Sequence, residues 1–280
     1  MRSFIFNIFF YAVTLIYVLS CLLFSLVPGR GALMAALRRY TKVIVWGMRR
    51  IAGINIIITG KENIPADGPV IIAPKHQSYG DGFVVFSQFK DLSFVAGNQL
   101  EKFWGFKRIL TKMNAVMIDN CGGSDSQEKM EKQSKVVREE GRRLLIFPEG
   151  HLSEVGTYHR YRKGVWHLQQ EFGCPVVPVA NTLGQRWNQA EWEKHTGKAH
   201  IEFLEPIPPG MEKEAFMSLL QERIETRSIE LLDLENLGAL NPENIGQMKE
   251  NHVAAAKRLS LIHISRAHET RHDLVCRLLL

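Results

Sequence analysis

The chain has 280 residues, of which 45% are hydrophobic and 23% are charged, and this balance excludes wholesale disorder, a collagen-like fold and a coiled coil. Lys and Arg total 35 against 29 acidic residues, and the net charge of +6 is typical of proteins with anionic partners such as membrane surfaces, phosphorylated substrates or nucleic acid. The four cysteines are scattered without Cys-x-x-Cys spacing, which excludes a disulfide framework and a structural zinc site.

The first apolar segment, residues 4–27, contains no charged residue. As a helix it would rise about 36 Å at about 1.5 Å per residue, which is enough to cross the hydrocarbon core of a bilayer. A cleaved signal peptide is the alternative, because Arg2 opens the chain and residues 18–21 loosely resemble a lipoprotein cleavage site. The length of the run and the basic residues that follow it favour a retained transmembrane helix, with the rest of the chain in the cytoplasm.

The next segment, residues 32–52, combines apolar side chains with a set of basic ones, namely Arg38, Arg39, Lys42, Arg49 and Arg50. A helix here would carry an apolar stripe and a cationic face, a pattern typical of helices at a membrane interface. The alternative is a domain helix whose basic face is simply solvated. We predict that residues 1–52 form a membrane anchor followed by an interfacial helix.

After Gly53, apolar runs rich in β-branched residues alternate with helical patterns. The predicted strands are 54–59, 69–73, 92–96, 115–118, 143–147, 176–180 and 199–204, and the predicted helices are 82–90, 100–112, 125–140, 163–172 and 212–234. This alternation indicates an α/β domain over residues 53–236, with a mixed, largely parallel sheet flanked by helices. Residues 237–280 form a C-terminal extension, of which 259–280 lack a domain period and are not predicted to be native domain sequence.

A candidate catalytic pair follows the predicted strand 69–73. His76 lies where this strand passes into a loop, and Asp81 lies where a helix begins, so the helix N-terminus would favour its carboxylate. An aspartate that accepts a hydrogen bond from one imidazole nitrogen leaves the other nitrogen free to act as a base. The spacing alone is weak evidence, because His268 and Asp273 repeat it, and a loop histidine beside a capping aspartate is the alternative.

A second motif, at 147–150, ends the predicted strand 143–147 in a proline and an acid-glycine turn. The carboxyl ends of parallel strands share one edge of a sheet, which is where the ligands of α/β proteins bind. Because His76, Asn120 and Glu149 each fall just beyond a predicted strand, we expect them at one site.

These motifs resemble conserved blocks of the glycerolipid acyltransferase family, and in particular of its bacterial 1-acylglycerol-3-phosphate acyltransferases. The resemblance covers about residues 55–235. The Asn-His-x4-Asp block of the family is matched from Lys75 to Asp81, with Lys in place of Asn. The Val-Pro-Val block is matched at 177–179.

Two further blocks are matched with departures. The Phe-Pro-Glu-Gly-Thr-Arg-Ser block is matched at 147–153, where His151 and Leu152 replace Thr and Arg. The block that usually ends in Ile-Asp-Arg ends here in Asn120. The order of the four blocks is specific to the superfamily, so the missing arginines bear on the acceptor and not on acyl transfer itself.

The resemblance implies direct transfer of a fatty acyl group from acyl-CoA or acyl-carrier protein to the hydroxyl of a membrane lysophospholipid, in the first place 1-acylglycerol-3-phosphate. His76 would take the proton of that hydroxyl and Asp81 would orient the imidazole. The substrate-binding residues would be Asn120, Phe147, Pro148, Glu149 and Gly150. Neither a metal nor a cofactor is implied. The enzyme is expected at the cell inner membrane, and no nucleic acid is expected as a partner because much of the basic excess lies beside the predicted span.

The missing arginines leave the acceptor open, because bidentate Arg–phosphate pairing is charge-assisted and geometrically specific. Arg162 and Lys163 lie a short loop beyond the 147–150 turn and are candidates to bind the phosphate instead, and Lys75 is a third candidate. For each of them, a solvated loop charge is the alternative. An acyltransferase for a non-phosphate lysolipid, such as a lyso-ornithine lipid, and a catalytically degenerate membrane protein on the same scaffold also stay open.

Two other enzyme classes are disfavoured. A hydrolase with Ser78 as nucleophile would need a Gly-x-Ser-x-Gly turn, which the sequence lacks. A dinucleotide enzyme would need Gly-x-Gly-x-x-Gly after a strand, and this pattern is also missing.

Overall fold

The computed structural model describes residues 1–97, 104–118, 124–241 and 243, with the side chains of 104 and 124–130 left aside. The α-helices of this part of the chain are α1 (Arg2–Leu26), α2 (Gly31–Gly47), α3 (Gly80–Ser87), α4 (Trp104–Met113), α5 (Ser124–Glu139), α6 (Gly164–Phe172) and α7 (Lys213–Glu230). The strands are β1 (Ile54–Thr59), β2 (Val70–Pro74), β3 (Leu92–Gly97), β4 (Val116–Ile118), β5 (Arg143–Leu145), β6 (Val176–Asn181) and β7 (Gly197–Phe203). A π-helical turn, Met48–Ala52, joins α2 to β1. The C-terminal residues 259–280, which were not predicted to be native domain sequence, lie outside the described residues.

The strands form one sheet in the order β1-β7-β6-β2-β5-β3-β4 within the described ranges. Every neighbouring pair is parallel except β6 and β7, which are antiparallel. The central strand β2 is fully buried, with Val70 and Ile72 in one core and Ile71 and Ala73 in the other. This arrangement confirms the predicted mixed, largely parallel sheet flanked by helices.

The helices cover the sheet in two layers. Helices α1 to α4 contribute to one core, in which Phe6, Ile44 and Val84 are fully buried. Helices α5 to α7 contribute to the other, represented by Leu168 and Phe216. The buried side chains of β2 alternate between the two cores because successive strand residues point to opposite faces.

The apolar stripe of α2, which the sequence predicted at a membrane surface, packs mainly against the domain. Leu33 and Ile44 are fully buried in the core shared with α3, while Trp46 is 53% exposed. The stripe is therefore largely that of a domain helix, the alternative that the periodicity of this segment had left open.

Helix α1 has 25 residues, and an 18-residue stretch within it has a mean hydropathy of 2.2, so it is long and apolar enough to cross a membrane. Both of its ends nevertheless contact the folded domain. Near the first turn, Phe6 is fully buried and packs edge-on against Trp187 with ring centroids 5.2 Å apart. At the last turn, Arg108 of α4 donates a hydrogen bond from Nε to Ser25 Oγ at 3.1 Å. Helix α1 therefore runs along the domain rather than away from it.

Candidate active site

The candidate site lies where β2 and β5 end. The two strands are parallel neighbours, so the loops that follow them emerge at the same edge of the sheet. The loop after β2 carries His76, and the loop after β5 carries Phe147 and Glu149. The structure thus brings together the two motifs that the sequence placed at one edge. Asn120, predicted at the same edge, lies outside the described residues.

Asp81 organises the loop that carries His76. Its carboxyl group is fully buried in the first turn of α3, and Oδ2 accepts hydrogen bonds from His76 Nδ1 at 3.1 Å and from the main-chain N of Gln77 and Ser78 at 2.7 Å each. A carboxylate oxygen only accepts hydrogen bonds, so Nδ1 carries a proton and Nε2 is left as the proton acceptor. The sequence prediction that Asp81 lies at a helix start beside His76 is confirmed as geometry.

The imidazole of His76 is partly exposed on the surface between the loops that follow β2 and β5, which is called the cleft. Its side chain is 21% exposed, and its ring stacks on Phe147 with centroids 3.7 Å apart and an interplanar angle of 16°. Phe147 is half-buried and packs in turn against the core of α1 to α4. Stacking on one face and the bond to Asp81 leave the imidazole little rotational freedom.

Glu149, which the sequence predicted as a substrate-binding residue, points into the protein. The side chain is fully buried, with Oε1 accepting from the main-chain N of His76 at 2.7 Å and Oε2 accepting from Ser153 Oγ at 2.5 Å. The main-chain N of Ser153 donates to the carbonyl of His76 at 2.9 Å. Glu149 and Ser153 therefore hold both sides of the His76 main chain, and the Glu149 carboxylate is not on the cleft surface.

With this geometry in place, comparison with known proteins decides the family. The model of the acyltransferase family matches residues 55–182. A 1-acyl-sn-glycerol-3-phosphate acyltransferase of Pseudomonas aeruginosa is 30% identical over 196 residues, which cover 70% of this chain and 74% of that protein. This chain belongs to the acyltransferase family.

One further relative and one solved structure are also similar to this chain. A 1-acyl-sn-glycerol-3-phosphate acyltransferase of Saccharomyces cerevisiae is 28% identical over 136 residues, which cover 47% of this chain and 44% of that protein. The crystal structure of a 1-acyl-sn-glycerophosphate acyltransferase from Thermotoga maritima has the same fold, with a TM-score of 0.67, 21% identity, and coverage of 82% of this chain and 98% of that chain.

The candidate phosphate-binding residues of this acyltransferase divide into one that is buried and two that are exposed. Lys75 is fully buried, and its Nζ lies 2.6 Å from Glu225 Oε1, so it is not available to a ligand in the cleft and that prediction was wrong. Arg162 and Lys163 are both exposed. Lys163 is the N-cap residue of α6.

Arg162 returns to the turn after Phe147, as the sequence predicted. Its main-chain N donates to the carbonyl of Pro148 at 2.7 Å. Gly150 has φ +73°, and a Cβ built there would lie 3.0 Å from Arg162 Cγ. The stem of the arginine therefore lies along this glycine, while Pro148 itself is buried.

Two histidines near the same turn were not predicted as site residues. His151 stands where the family pattern has Thr, and its ring meets that of His159 edge-to-face with centroids 4.4 Å apart. The Nε2 atom of His159 lies 3.1 Å from Thr157 Oγ1. The replacement of Thr by His was visible in the sequence, but its partner could not be inferred from spacing.

Ser78 has a structural contact that accounts for its place in the motif. It is fully buried, and its Oγ accepts a hydrogen bond from the main-chain N of Gly80 at 3.0 Å, at the start of α3. This hydrogen bond closes a short side-chain turn just before α3. No group of three or more His, Cys, Asp or Glu side chains converges in metal-binding geometry within the described ranges.

A groove of about 500 Å³ opens beside the motif that carries His76, and its lining combines aromatic side chains with the polar residues Asn7, Asn188, Gln189, Glu191 and Lys194. Phe10 and Tyr11 of α1 line one side, and Tyr79 and Phe83, at the start of α3, line another. Trp187 contributes to the lining as well. The groove thus lies between the apolar helix α1 and the segment with His76 and Asp81.

Proposed function

We propose that this acyltransferase transfers a fatty acyl group from acyl-CoA or acyl-carrier protein to the free hydroxyl of a lysophospholipid, with 1-acylglycerol-3-phosphate as acceptor and phosphatidic acid as product. The observation that carries the proposal is the hydrogen bond of the buried Asp81 carboxylate to Nδ1 of a partly exposed His76. The name of the Pseudomonas aeruginosa relative supports the choice of acceptor.

The proposed reaction needs one base and no covalent enzyme intermediate. His76 Nε2 accepts the proton as the acceptor hydroxyl attacks the thioester carbonyl, and the imidazolium then protonates the departing thiolate. The Asp81 carboxylate stabilises the imidazolium while it exists. Phe147 keeps the ring in place by stacking, and Glu149 fixes the main chain of the same loop.

Arg162 is the proposed ligand of the acceptor phosphate, with Lys163 as a second cation in the same segment. Arg162 is exposed and lies against Gly150, at the turn that follows Phe147. Leu152 stands where the family pattern has Arg and supplies no charge. That loss favours a second candidate, an acyltransferase for a non-phosphate lysolipid such as a lyso-ornithine lipid.

A panel of acceptors tests the proposal. Purified protein is incubated with labelled acyl-CoA or acyl-acyl-carrier protein and with lysophosphatidate, zwitterionic lysolipids or a lyso-ornithine lipid. Acylation of lysophosphatidate at the highest kcat/KM supports the first candidate. Robust acylation of a lysolipid without a phosphate, with lysophosphatidate unused, supports the second. No transfer to any acceptor from either donor indicates a catalytically degenerate protein.

For the membrane we propose that α1 inserts its outer face while both of its ends stay on the domain. Large apolar side chains on this helix are exposed, among them Leu15, Leu19 and Leu23 at 54–66%. If α1 crossed the bilayer, its two ends would lie on opposite sides of the membrane. Phe6 and Ser25, near the two ends, instead both contact the same domain. We propose in addition that the catalytic domain lies on the cytoplasmic side of the inner membrane, with the groove beside α1 facing the lipid.

Charge substitution on the exposed face tests this attachment. Leu19→Asp should lower the fraction of protein recovered with membranes, because burying a carboxylate in lipid is costly. Leu234→Asp is the matched control, since Leu234 is a similarly exposed leucine, at 55%, beyond α7. Equal membrane recovery of the two variants would contradict the proposed face, and a reporter after Gly53 active only outside the cytoplasm would contradict the orientation.

A further inference from the structure

Directly beneath the His76 loop lies a closed cluster of buried charges. Lys75 is fully buried, and its Nζ lies 2.6 Å from Glu225 Oε1 and 3.8 Å from Glu149 Oε2. Tyr161 donates from its hydroxyl to the same Glu225 oxygen at 2.9 Å. A buried cation is tolerated in a protein only when it is paired and hydrogen-bonded, so these groups form one unit.

The cluster connects four separate parts of the fold at the main chain of His76. Glu225 belongs to α7 and Tyr161 to the loop before α6, while Lys75 directly precedes His76. The main chain of Lys75 is fixed by β6, because its N donates to the carbonyl of Val179 at 3.0 Å. The carboxylate of Glu149 completes the connection, since its other oxygen accepts from the His76 main-chain N at 2.7 Å.

The electrostatics of the cluster depend on the lysine. Burial alone would lower the pKa of Lys75, but the charges of Glu225 and Glu149 outweigh burial and raise it, so the ammonium stays protonated. Burial and the same two carboxylates raise the pKa of Tyr161, which therefore remains a neutral donor. Without the ammonium, two buried carboxylates would be left without a cation between them, an arrangement in which like charges oppose each other.

We propose that Lys75 is a positioning residue: anchored by Glu225, its ammonium keeps Glu149 as the carboxylate that holds the main chain of His76 in the geometry for proton transfer. Lys75 therefore acts through Glu149 and touches no substrate. A displacement of about 1 Å in a catalytic group costs about 10²-fold in rate, which sets the scale of the expected effect. The effect on turnover rests on the proposed function of His76, whereas the effect on the His76 main chain does not.

The test compares Lys75→Met, Glu225→Gln and their combination with a control, Arg142→Met. The Arg142 side chain is 3% exposed and its Nη2 lies 2.6 Å from Asp91 Oδ1. Arg142 directly precedes β5 and is therefore at the opposite end of that strand from the site. Each variant is assayed at the same interval below its own Tm, so that all are folded. Two readouts are taken: kcat and KM for donor and acceptor, and hydrogen exchange of the main-chain N–H of His76.

Lys75→Met should lower kcat about 10–100-fold, leave both KM values within about threefold, and speed exchange of the His76 amide. The double variant should regain part of the lost kcat, because removal of Glu225's charge leaves Glu149 as the sole buried carboxylate of the pair. Arg142→Met should lower Tm without lowering kcat or accelerating exchange of the His76 amide. If Lys75→Met does not fold, Glu225→Gln must still accelerate exchange of the His76 amide, because Lys75 then loses the anchor that fixes its ammonium beside Glu149.

A folded Lys75→Met variant with wild-type kcat and unchanged exchange of the His76 amide would overturn the proposal. Equal changes of kcat and exchange in Lys75→Met and Arg142→Met would overturn it as well. If the wild-type protein transfers no acyl group with any donor or acceptor, the proposed function fails. The exchange measurement would then still decide the role of Lys75.

Discussion

The replacement Asp81→Asn is predicted to lower kcat for acyl transfer by about 10³–10⁴-fold while the fold is kept. An Asn oxygen in the position of Oδ2 can still accept from the main-chain N of Gln77 and Ser78, which lie 2.7 Å from it in the wild type. The substitution removes the negative charge, which lies 3.1 Å from His76 Nδ1, and puts an NH2 group in the position of Oδ1, which accepts no hydrogen bond in the wild type. It therefore separates the electrostatic contribution of Asp81 from its structural one.

The magnitude follows from that distance. At an effective dielectric constant of about 20, two unit charges 3.1 Å apart attract each other by about 5 kcal/mol. The attraction acts on the transition state, because His76 becomes positive only as it takes the proton. Since about 1.4 kcal/mol corresponds to a factor of ten in rate, the loss amounts to somewhat less than four powers of ten.

The assay is transfer of a labelled acyl group at saturating donor and acceptor, with circular dichroism and Tm as the check on folding. Asp67→Asn, the same change at an exposed turn position, is the control and should leave kcat unchanged. A folded Asp81→Asn enzyme with kcat within tenfold of the wild type would refute the reasoning, because the charge would then contribute little to the stability of the imidazolium.

The other predictions concern the acceptor, the backbone and a buried thiol. Arg162→Ala should raise KM for lysophosphatidate about 10–100-fold, the range expected for loss of a charged hydrogen bond, with little change in KM for the donor. The control Arg160→Ala, at an exposed neighbouring position, should leave both KM values unchanged. Equal KM for lysophosphatidate in the two variants, measured by steady-state kinetics, would disprove the assignment. Gly60→Ala should lower the free energy of unfolding by about 3 kcal/mol or more, because a Cβ there, at φ +72°, would lie 2.0 Å from a main-chain oxygen of β7. Gly68→Ala, at φ +82° with open space around it, should cost only about 1 kcal/mol, and equal urea midpoints for the two variants would contradict this account. Burial raises the pKa of the Cys174 thiol to about 12, so Cys174 should resist alkylation at about pH 8 in the folded protein and react after denaturation. Rapid alkylation of Cys174 in the folded protein, detected by peptide mass spectrometry, would contradict this prediction.

The sheet and the meeting of the two motifs could be predicted because both depend on local patterns. The continuous apolar run of β2 is typical of a strand buried on both faces, and a parallel sheet brings the loops after such strands to one edge. The sequence therefore placed His76 and Glu149 together, and they are joined by a hydrogen bond of 2.7 Å. The position of Asp81 in the first turn of a helix was predictable for the same reason.

The orientation of individual side chains could not be predicted from local patterns. Lys75 looked like a free cation because its partner, Glu225, lies 150 residues away along the chain. Glu149 belongs to a recognisable block, but only the packing of the Ser153 loop shows that its carboxylate faces inward. The course of α1 along the domain depends on contacts of Phe6 that hydropathy does not reveal.

The central claim is that His76 is the base of a direct acyl transfer, and the most direct measurement is the acyl-transfer rate of His76→Ala beside that of Ser78→Ala. The account predicts a loss of at least about 10²-fold for His76→Ala with an unchanged Tm, the usual contribution of a positioned base, and retention of most activity by Ser78→Ala. Wild-type rates in His76→Ala, or an inactive Ser78→Ala variant together with a trappable acyl group on Ser78 of the wild-type enzyme, would contradict it.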